Sequence, residues 1–390
     1  MSRPRILIVA GEASGDAHGA GLVRALKRGG LAADFYGIGG PALAAEGVRL
    51  MASYRDLAVV GIAEVVGRLP RIFSLLGRVR AEIARRPPDL FVPIDSPDFN
   101  LRLLRPAAAR GVPVVYFIAP QLWAWRPQRV RVLSACVREL LVLFPFEEAY
   151  FRERGVSATF VGNPLADAAR ARPRGARGGE ALGLLLPGSR SSEIGRHLPV
   201  LAKAVALLEG RFPDLRWLVR RAPEVDLGQY ARHLRPGRIE LAEDPIPDLA
   251  ERARVVVSAS GTASLEAALS GTPLLVVYRM NPLTYRLARR LVHVPHIAMA
   301  NLAAGRAIVP ELLQDECTPA RVAAEVAGLL TDHARRAEMG RALAELRERF
   351  GPPGAYERAA ARVRAHLESP REAQPSAATG PGHGPQATRS

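Results

Sequence analysis

Lysine is almost missing from this chain. Of 54 basic residues only Lys27 and Lys203 are lysine, and the rest are arginine. That bias, with abundant Ala, Gly and Pro, is what a GC-rich genome writes, and it accounts for part of the net charge of +16. The remainder implies an anionic partner: nucleic acid, an acidic membrane surface or a phosphorylated substrate. No RNA-binding aromatic signature and no zinc-finger spacing supports nucleic acid. Cysteine is scarce too. Cys136 and Cys317 stand far apart without a CxxC, which excludes a disulfide framework and points to a reducing compartment. Long apolar runs are missing: VPVVYFIAP, ELLVLFPF and PLLVVY are too short to span a bilayer. Arg3 and Arg5 lead into a short apolar run ending at Gly11, which is not a signal-peptide pattern. A cytoplasmic protein is the expectation. No GxGxxG dinucleotide fingerprint, P-loop GK[ST] or Asp-x-Asp pair is present, so a dehydrogenase, a Walker-type site and a dedicated divalent-metal clamp are disfavoured. His293 and His296 have no acidic or Cys partner nearby in sequence and read as structural. No cofactor and no metal is expected.

What is present is a chain of 390 residues, 48% hydrophobic, enough for two domains with real cores. Short apolar strands alternate with helical patterns twice over: RILIVA, LFVPID, VPVVYFIA and ELLVLF, then ALGLLLPGS, LRWLVRR, ARVVVSAS and PLLVVYRM. Such alternation implies an α/β fold with two helix-covered parallel sheets, whose strand ends face a central cleft. The expected organisation is residues 1–168, a linker at 169–180, residues 181–345, C-terminal helices at 346–368 that cross back to the first domain, and a disordered tail at 369–390.

The turns after these strands carry the chemistry. GEASGDAHGAG follows the first strand, and its glycines permit close backbone approach. It reads either as helix–sheet packing or as a loop lining the cleft, with Gly11, Glu12, Ser14, Gly15, Asp16 and His18. LLLPGSRSSEI opens the second half, where Ser189, Arg190 and a helix N-terminus suit an anion; the plainer alternative is a turn capped by Ser191. VVVSASGTASLEAALSG repeats that form, with Ser260, Gly261 and Thr262 at the turn and Glu266 one helical turn inside, placed for sugar hydroxyls or merely packing. Two anion-ready turns in one domain suit a nucleoside diphosphate. In LFVPIDSPDFN, Asp95 and Asp98 lie at a strand end. Asp98 reads as a helix N-cap or as a carboxylate where open α/β sheets bind ligands. Residues 57–86 combine an apolar stretch (Val59, Val60, Ile62, Val65, Val66) and Leu69, Ile72 and Phe73 with Arg71, Arg78 and Arg85 at seven-residue spacing. Pro70 is a natural helix start here. This segment is either a helix covering the sheet or a basic amphipathic surface for anionic lipid or an acyl chain.

Together, GEASGDAHGA, YGIGGPAL, LAVVGIAEVVGRLP, IDSPDFNLRL, IAPQLWAWRPQRV, LFPFEEAYF, VGNPLAD, LLPGSRSSEI, ASGTASLEAAL, VVYRMNPLTY and NLAAGRAIVPELLQDECTP resemble the lipid-A-disaccharide synthase family, inverting glycosyltransferases with two Rossmann-like domains (the GT-B architecture). Two departures stand out: Asn163 where the family commonly has His, and IAMA before Asn301 where it usually has Leu-Pro. The resemblance implies that UDP-2,3-diacylglucosamine is joined to 2,3-diacylglucosamine 1-phosphate, giving UDP and a β-1,6-linked disaccharide, on the cytoplasmic face of an anionic membrane. It implies Asp98 as catalytic base and Asp95 as its orienting neighbour; His18 is the alternative base, because a histidine ordinarily titrates near neutrality. Arg190, the 260–262 turn and Arg279 would take the diphosphate; Asn301, Glu311 and Gln314 would contact ribose or uracil. Rival readings are a UDP-sugar 2-epimerase, a transferase to another lipid acceptor, and a nucleotide- or lipid-binding protein without catalysis.

Overall fold

The computed structural model describes residues 3–57, 62–124, 126–171, 181–223, 225–281, 285–286 and 295–368, with the side chains of 62–69 excepted. Among them the strands form two fully parallel sheets. The first holds β1 (Arg5–Ala10), β2 (Asp34–Gly39), β3 (Arg49–Ser53), β4 (Leu90–Ile94), β5 (Val115–Phe117), β6 (Glu139–Val142) and β7 (Ala158–Phe160), in the order β3-β2-β1-β4-β5-β6-β7. The second holds β8 (Leu182–Leu186), β9 (Arg216–Arg220), β10 (Ile239–Ala242), β11 (Val255–Ala259), β12 (Leu274–Tyr278) and β13 (Glu311–Leu313), in the order β10-β9-β8-β11-β12-β13. The central strands read as unbroken apolar runs because helices cover both faces. Ile6, Leu7, Ile8 and Val9 of β1 are fully buried, as are Val255 and Val256 of β11.

Each sheet has a switch point where the strand order reverses, between β1 and β4 in the first and between β8 and β11 in the second. Ligands bind outside the carboxyl ends of strands at such points. The turns that follow those four strands are GEAS, DSPD, PGSR and SGT. The topology therefore gathers motifs that lie far apart in sequence.

Helix Ala355–Glu368 packs on helix Ala13–Arg28 of the first domain. Gly21 makes room for it: a Cβ there would lie 2.3 Å from the Tyr356 ring. Glu139 anchors the other side, bonded by Arg362 and His366. Helix His333–Arg349 runs through the expected boundary at 345, and helix Pro164–Ala171 through that at 168. Residues 172–180 of the expected linker and the 369–390 tail lie outside the described residues.

Pro70 does not start its helix. It sits inside helix Ile62–Arg85, where its ring removes one backbone donor. The stripe of Leu75, Leu76, Val79 and Ile83 is buried against the first sheet. No helix among the described residues is long and apolar enough to cross a membrane.

Candidate active site

The turns after β1 and β4 press together at the first switch point. A Cβ on Gly11 would lie 2.3 Å from Ser96 Oγ, so only glycine allows this approach. Asp95 and Ser96 both adopt left-handed backbone, with φ of 41° and 49°. Such conformations cost on the order of 1–3 kcal/mol each and survive where surrounding bonds enforce them. Here Asn100 Nδ2 donates to the Asp95 carbonyl at 2.8 Å and to that of Ile94 at 3.2 Å, and Tyr116 Oη donates to the Asp95 carbonyl at 2.5 Å. Burial raises the Tyr116 pKa well above its usual value, so the phenol keeps its proton and stays a donor. The bend aims the Asp95 side chain at Glu12. Burial first, then the Glu12 charge and a hydrogen bond with it, push the Asp95 carboxyl up to about 7. Asp95 therefore holds its proton into the neutral range.

Asp98 has a different setting. It lies in the first turn of helix Pro97–Ala108, and the N-cap position is Ser96, so the capping expectation for Asp98 fails. Its carboxylate is 71% exposed and accepts from Arg129 Nη1 at 2.7 Å and Arg126 Nη1 at 3.3 Å. His18, the alternative base, is partly buried, with Nδ1 3.0 Å from Tyr356 Oη. Burial lowers its pKa to about 4, which removes the near-neutral titration that recommended it. Asp16 is also reassigned. Its buried carboxylate accepts from the N–H groups of Gly40, Ala42 and Leu43 at 2.6, 2.9 and 3.2 Å, anchoring the start of the next helix. Ser14 and Gly15 lie in the first turn of helix Ala13–Arg28 rather than in a loop.

The second domain presents cations and helix starts. Arg190 is the N-cap residue of helix Ser191–Leu208, a place expected for Ser191. Its guanidinium, 58% exposed, lies 3.4 Å from Glu12 across the cleft and 3.3 Å from Glu193. Glu193 also accepts the Ser189 N–H at 2.9 Å, which holds the PGSR turn in shape. After β11, Gly261 (φ 140°) leads into helix Thr262–Ser270, and Ser260 Oγ donates to the Ile297 carbonyl at 2.8 Å. Thr262 is exposed and Glu266 half-buried on that helix. Arg279 follows β12 and is half-buried.

The three residues expected at ribose or uracil are occupied with their own chain. Asn301 is buried; its Nδ2 donates to Val309 O and Glu311 Oε1, and its Oδ1 accepts from Ile308 N and Val309 N. Its hydrogen-bonding capacity is full. Glu311 accepts from the N–H groups of Ile297 and Ala298, each at 3.0 Å. Gln314 makes two bonds to the Met280 backbone, at 3.0 and 2.8 Å. They shape the loops at 296–298 and 279–280, and Asn301 has no amide group left for a base.

On helix Ile62–Arg85, Phe73 is 52% exposed with the Arg102 guanidinium 5.8 Å from its ring centroid. Ile72 is partly buried and Arg71 exposed, while Arg78 donates to the Met51 carbonyl at 3.0 Å. Val59 and Val60 lie outside the described residues, as do the side chains of Ile62, Val65, Val66 and Leu69.

Sequence reasoning passed over three groups. Glu12 was placed in a loop but not paired with Asp95. Buried Glu147 accepts from Trp123 Nε1 at 3.1 Å and from Phe144 N at 3.2 Å, which ties the QLW turn to LFPFE. Burial, only partly offset by these bonds, pushes Glu147 up to about 7. His197 is completely buried between two turns of the second domain. A Glu after FPF and a His inside an apolar helix face were the signals available.

The architecture and the paired turns define a two-domain protein of the GT-B fold class. Several solved structures share the fold. The putative UDP-N-acetylglucosamine 2-epimerase from Listeria monocytogenes has a TM-score of 0.61 at 14% identity, over 94% of this chain and 96% of that one. The calicheamicin glycosyltransferase CalG4 has a TM-score of 0.59 at 20% identity, over 94% and 99%. The sequence is more specific. A family model described as lipid-A-disaccharide synthetase matches residues 6–362. The lipid-A-disaccharide synthase of Myxococcus xanthus is 43% identical over 370 residues, 92% of this chain and 97% of that relative. That of Syntrophus aciditrophicus is 42% identical over 372 residues, again 92% and 97%. The chain belongs to the lipid-A-disaccharide synthase family, glycosyltransferases of lipid A biosynthesis.

Proposed function

We propose that this enzyme joins UDP-2,3-diacylglucosamine to 2,3-diacylglucosamine 1-phosphate and that the Asp95–Glu12 pair, not Asp98, supplies the base. The supporting observation is the half-buried Asp95 carboxyl, raised to about 7 beside Glu12, which itself meets Arg190 of the other domain. A general base works best with a pKa near the working pH. Asp98 is exposed and engaged by two guanidiniums, which suits fixing the 126–129 turn better than taking a proton.

In the reaction the acceptor's 6-hydroxyl oxygen bonds to the donor's anomeric carbon. The bond from that carbon to the diphosphate oxygen breaks, and its electron pair leaves with UDP. The hydroxyl proton passes to the Asp95–Glu12 pair. Arg190, paired with Glu12 in this structure, turns to the diphosphate when the donor is bound, and the helix N-terminus at 262 supports the same charge. Glu266 is placed for donor hydroxyls. Asn301, Glu311 and Gln314 act by holding loops. The acyl chains rest on the face that carries Phe73, and Arg71 meets anionic lipid headgroups at the cytoplasmic membrane surface.

The test is turnover. Purified protein is incubated with both substrates in mixed micelles while UDP and disaccharide are followed by mass spectrometry. Acceptor-dependent UDP release with matching disaccharide is the expected result. UDP release without acceptor, or epimerised sugar, would remove this reading.

A further inference from the structure

We infer that His197 is a positioning residue that clasps the two donor-side turns, PGSR and the one after β12, at a fixed spacing for a nucleoside diphosphate. The inference rests on the reading that Arg190 and Arg279 take the diphosphate. β8 and β12 are not neighbours in the sheet, because β11 lies between them. Strand pairing therefore does not set directly how far apart their following turns lie. His197, in the second turn of helix Ser191–Leu208, reaches both. Its Nδ1 lies 2.8 Å from the Pro187 carbonyl, just ahead of Gly188-Ser189-Arg190. Its Nε2 lies 2.8 Å from the Arg279 backbone nitrogen and accepts that N–H.

Only one form of the ring serves both bonds. A neutral imidazole protonated on Nδ1 donates to the carbonyl and accepts from the amide; the other tautomer does neither, and the charged ring turns an N–H toward an N–H. Burial keeps the ring neutral by lowering its pKa, and the Pro187 bond and Glu193 oppose this only in part. Arg196 on the same helix and Arg279 from the β12 side push the same way as burial. An apolar residue at 197 would leave a buried carbonyl and a partly buried N–H without their partner and free the two turns to drift apart. A misplacement of about 1 Å at a binding constellation costs on the order of 100-fold.

The full-length enzyme is compared as wild type, His197→Leu, His197→Gln and Arg190→Ala. UDP affinity is measured by calorimetry, with KM for each substrate. His197→Leu is expected to weaken UDP about 10- to 100-fold and to raise donor KM alike, with acceptor KM within about twofold. His197→Gln, whose amide oxygen can accept the Arg279 N–H, is expected to recover most of the loss. If His197→Leu does not fold, His197→Asn takes its place, keeping a donor for Pro187 while its shorter side chain does not bring an oxygen to the Arg279 N–H, with an expected loss of about fivefold. Wild-type UDP binding by His197→Leu, with binding lost in Arg190→Ala, overturns the clasp alone. Equal losses for both substrates that Gln does not recover also overturn it, since a general folding defect would do that. Normal UDP binding by Arg190→Ala overturns the donor-site reading and the clasp with it.

Discussion

Two acids on the first sheet, Asp95 and Glu139, have been pushed in opposite directions. Asp95 stands at the carboxyl end of β4, where burial and the neighbouring Glu12 charge raise it to about 7. Glu139 opens β6, at the opposite, amino end of the strands. Burial alone would raise it too, but hydrogen bonds from His366, Arg362 and Thr159 overcome this and bring it down to about 2. Partners separate the two cases. Glu139 has been given three hydrogen-bond partners, among them the Arg362 guanidinium, and is ionised as a fastener for helix Ala355–Glu368. Asp95 has been given another acid, Glu12, and the cation that meets Glu12, Arg190, belongs to the other domain and is more than half exposed. A carboxyl that must hold structure is matched within its fold; one that must exchange a proton is left unmatched until ligands arrive.

Short of replacing Asp95 itself, removing the cation that meets Glu12 should have the largest effect. Arg190→Ala is expected to raise donor KM about 10- to 100-fold, the scale of losing a charge-assisted phosphate contact, and steady-state kinetics at varied donor checks it. Next is the pH dependence. An essential base at about 7 predicts that kcat/KM climbs as pH rises through neutrality, instead of being flat above the ordinary carboxylate range. Glu12→Gln removes the like charge, so the acid limb of its residual activity should move to lower pH. An unmoved limb would break the pairing of Glu12 with Asp95.

The matched acid gives a smaller effect, on stability rather than rate. A carboxyl depressed in the folded state stabilises it above the unfolded pKa and loses that contribution as pH falls toward the folded value of about 2. Glu139→Gln should therefore lower neutral stability by about 1–3 kcal/mol and flatten the acid dependence of thermal unfolding. Activity per folded molecule should hold. The smallest effect is expected at Phe73's face, where Arg71→Gln should weaken binding to anionic vesicles by about 1 kcal/mol, read by salt-dependent co-sedimentation.

Much of this architecture was legible in the sequence because parallel strands covered on both faces are apolar runs. β1, β4, β8, β11 and β12 announced themselves in this way. β7 and β13 are three residues each, too short to carry a period, and β2 and β3 are interrupted by glycine and charge. The switch-point turns were legible as Gly, Ser and Asp clusters after strands. What spacing could not tell was which way a side chain faces. Asp95 and Asp98 are three positions apart, yet the left-handed bend at 95–96 turns one to Glu12 while the other meets Arg126 and Arg129. Asn301, Glu311 and Gln314 carry the polar groups that a nucleotide would want, and only the fold shows them bonded to their own backbone. The pairing of Glu12 with Asp95 joins turns more than eighty residues apart and has no local signature.

The most direct measurement compares Asp95→Asn with Asp98→Asn in single-turnover disaccharide formation, with UDP affinity measured on both. Loss of a general base is worth about 10²- to 10⁴-fold, and that loss is predicted for Asp95→Asn at unchanged UDP affinity. Asp98→Asn gives up an exposed ion pair worth about 0–1 kcal/mol and should stay within about tenfold of wild type. The reverse order, with Asp98→Asn inactive and Asp95→Asn near normal, would contradict the assignment of the base and return it to the exposed carboxylate.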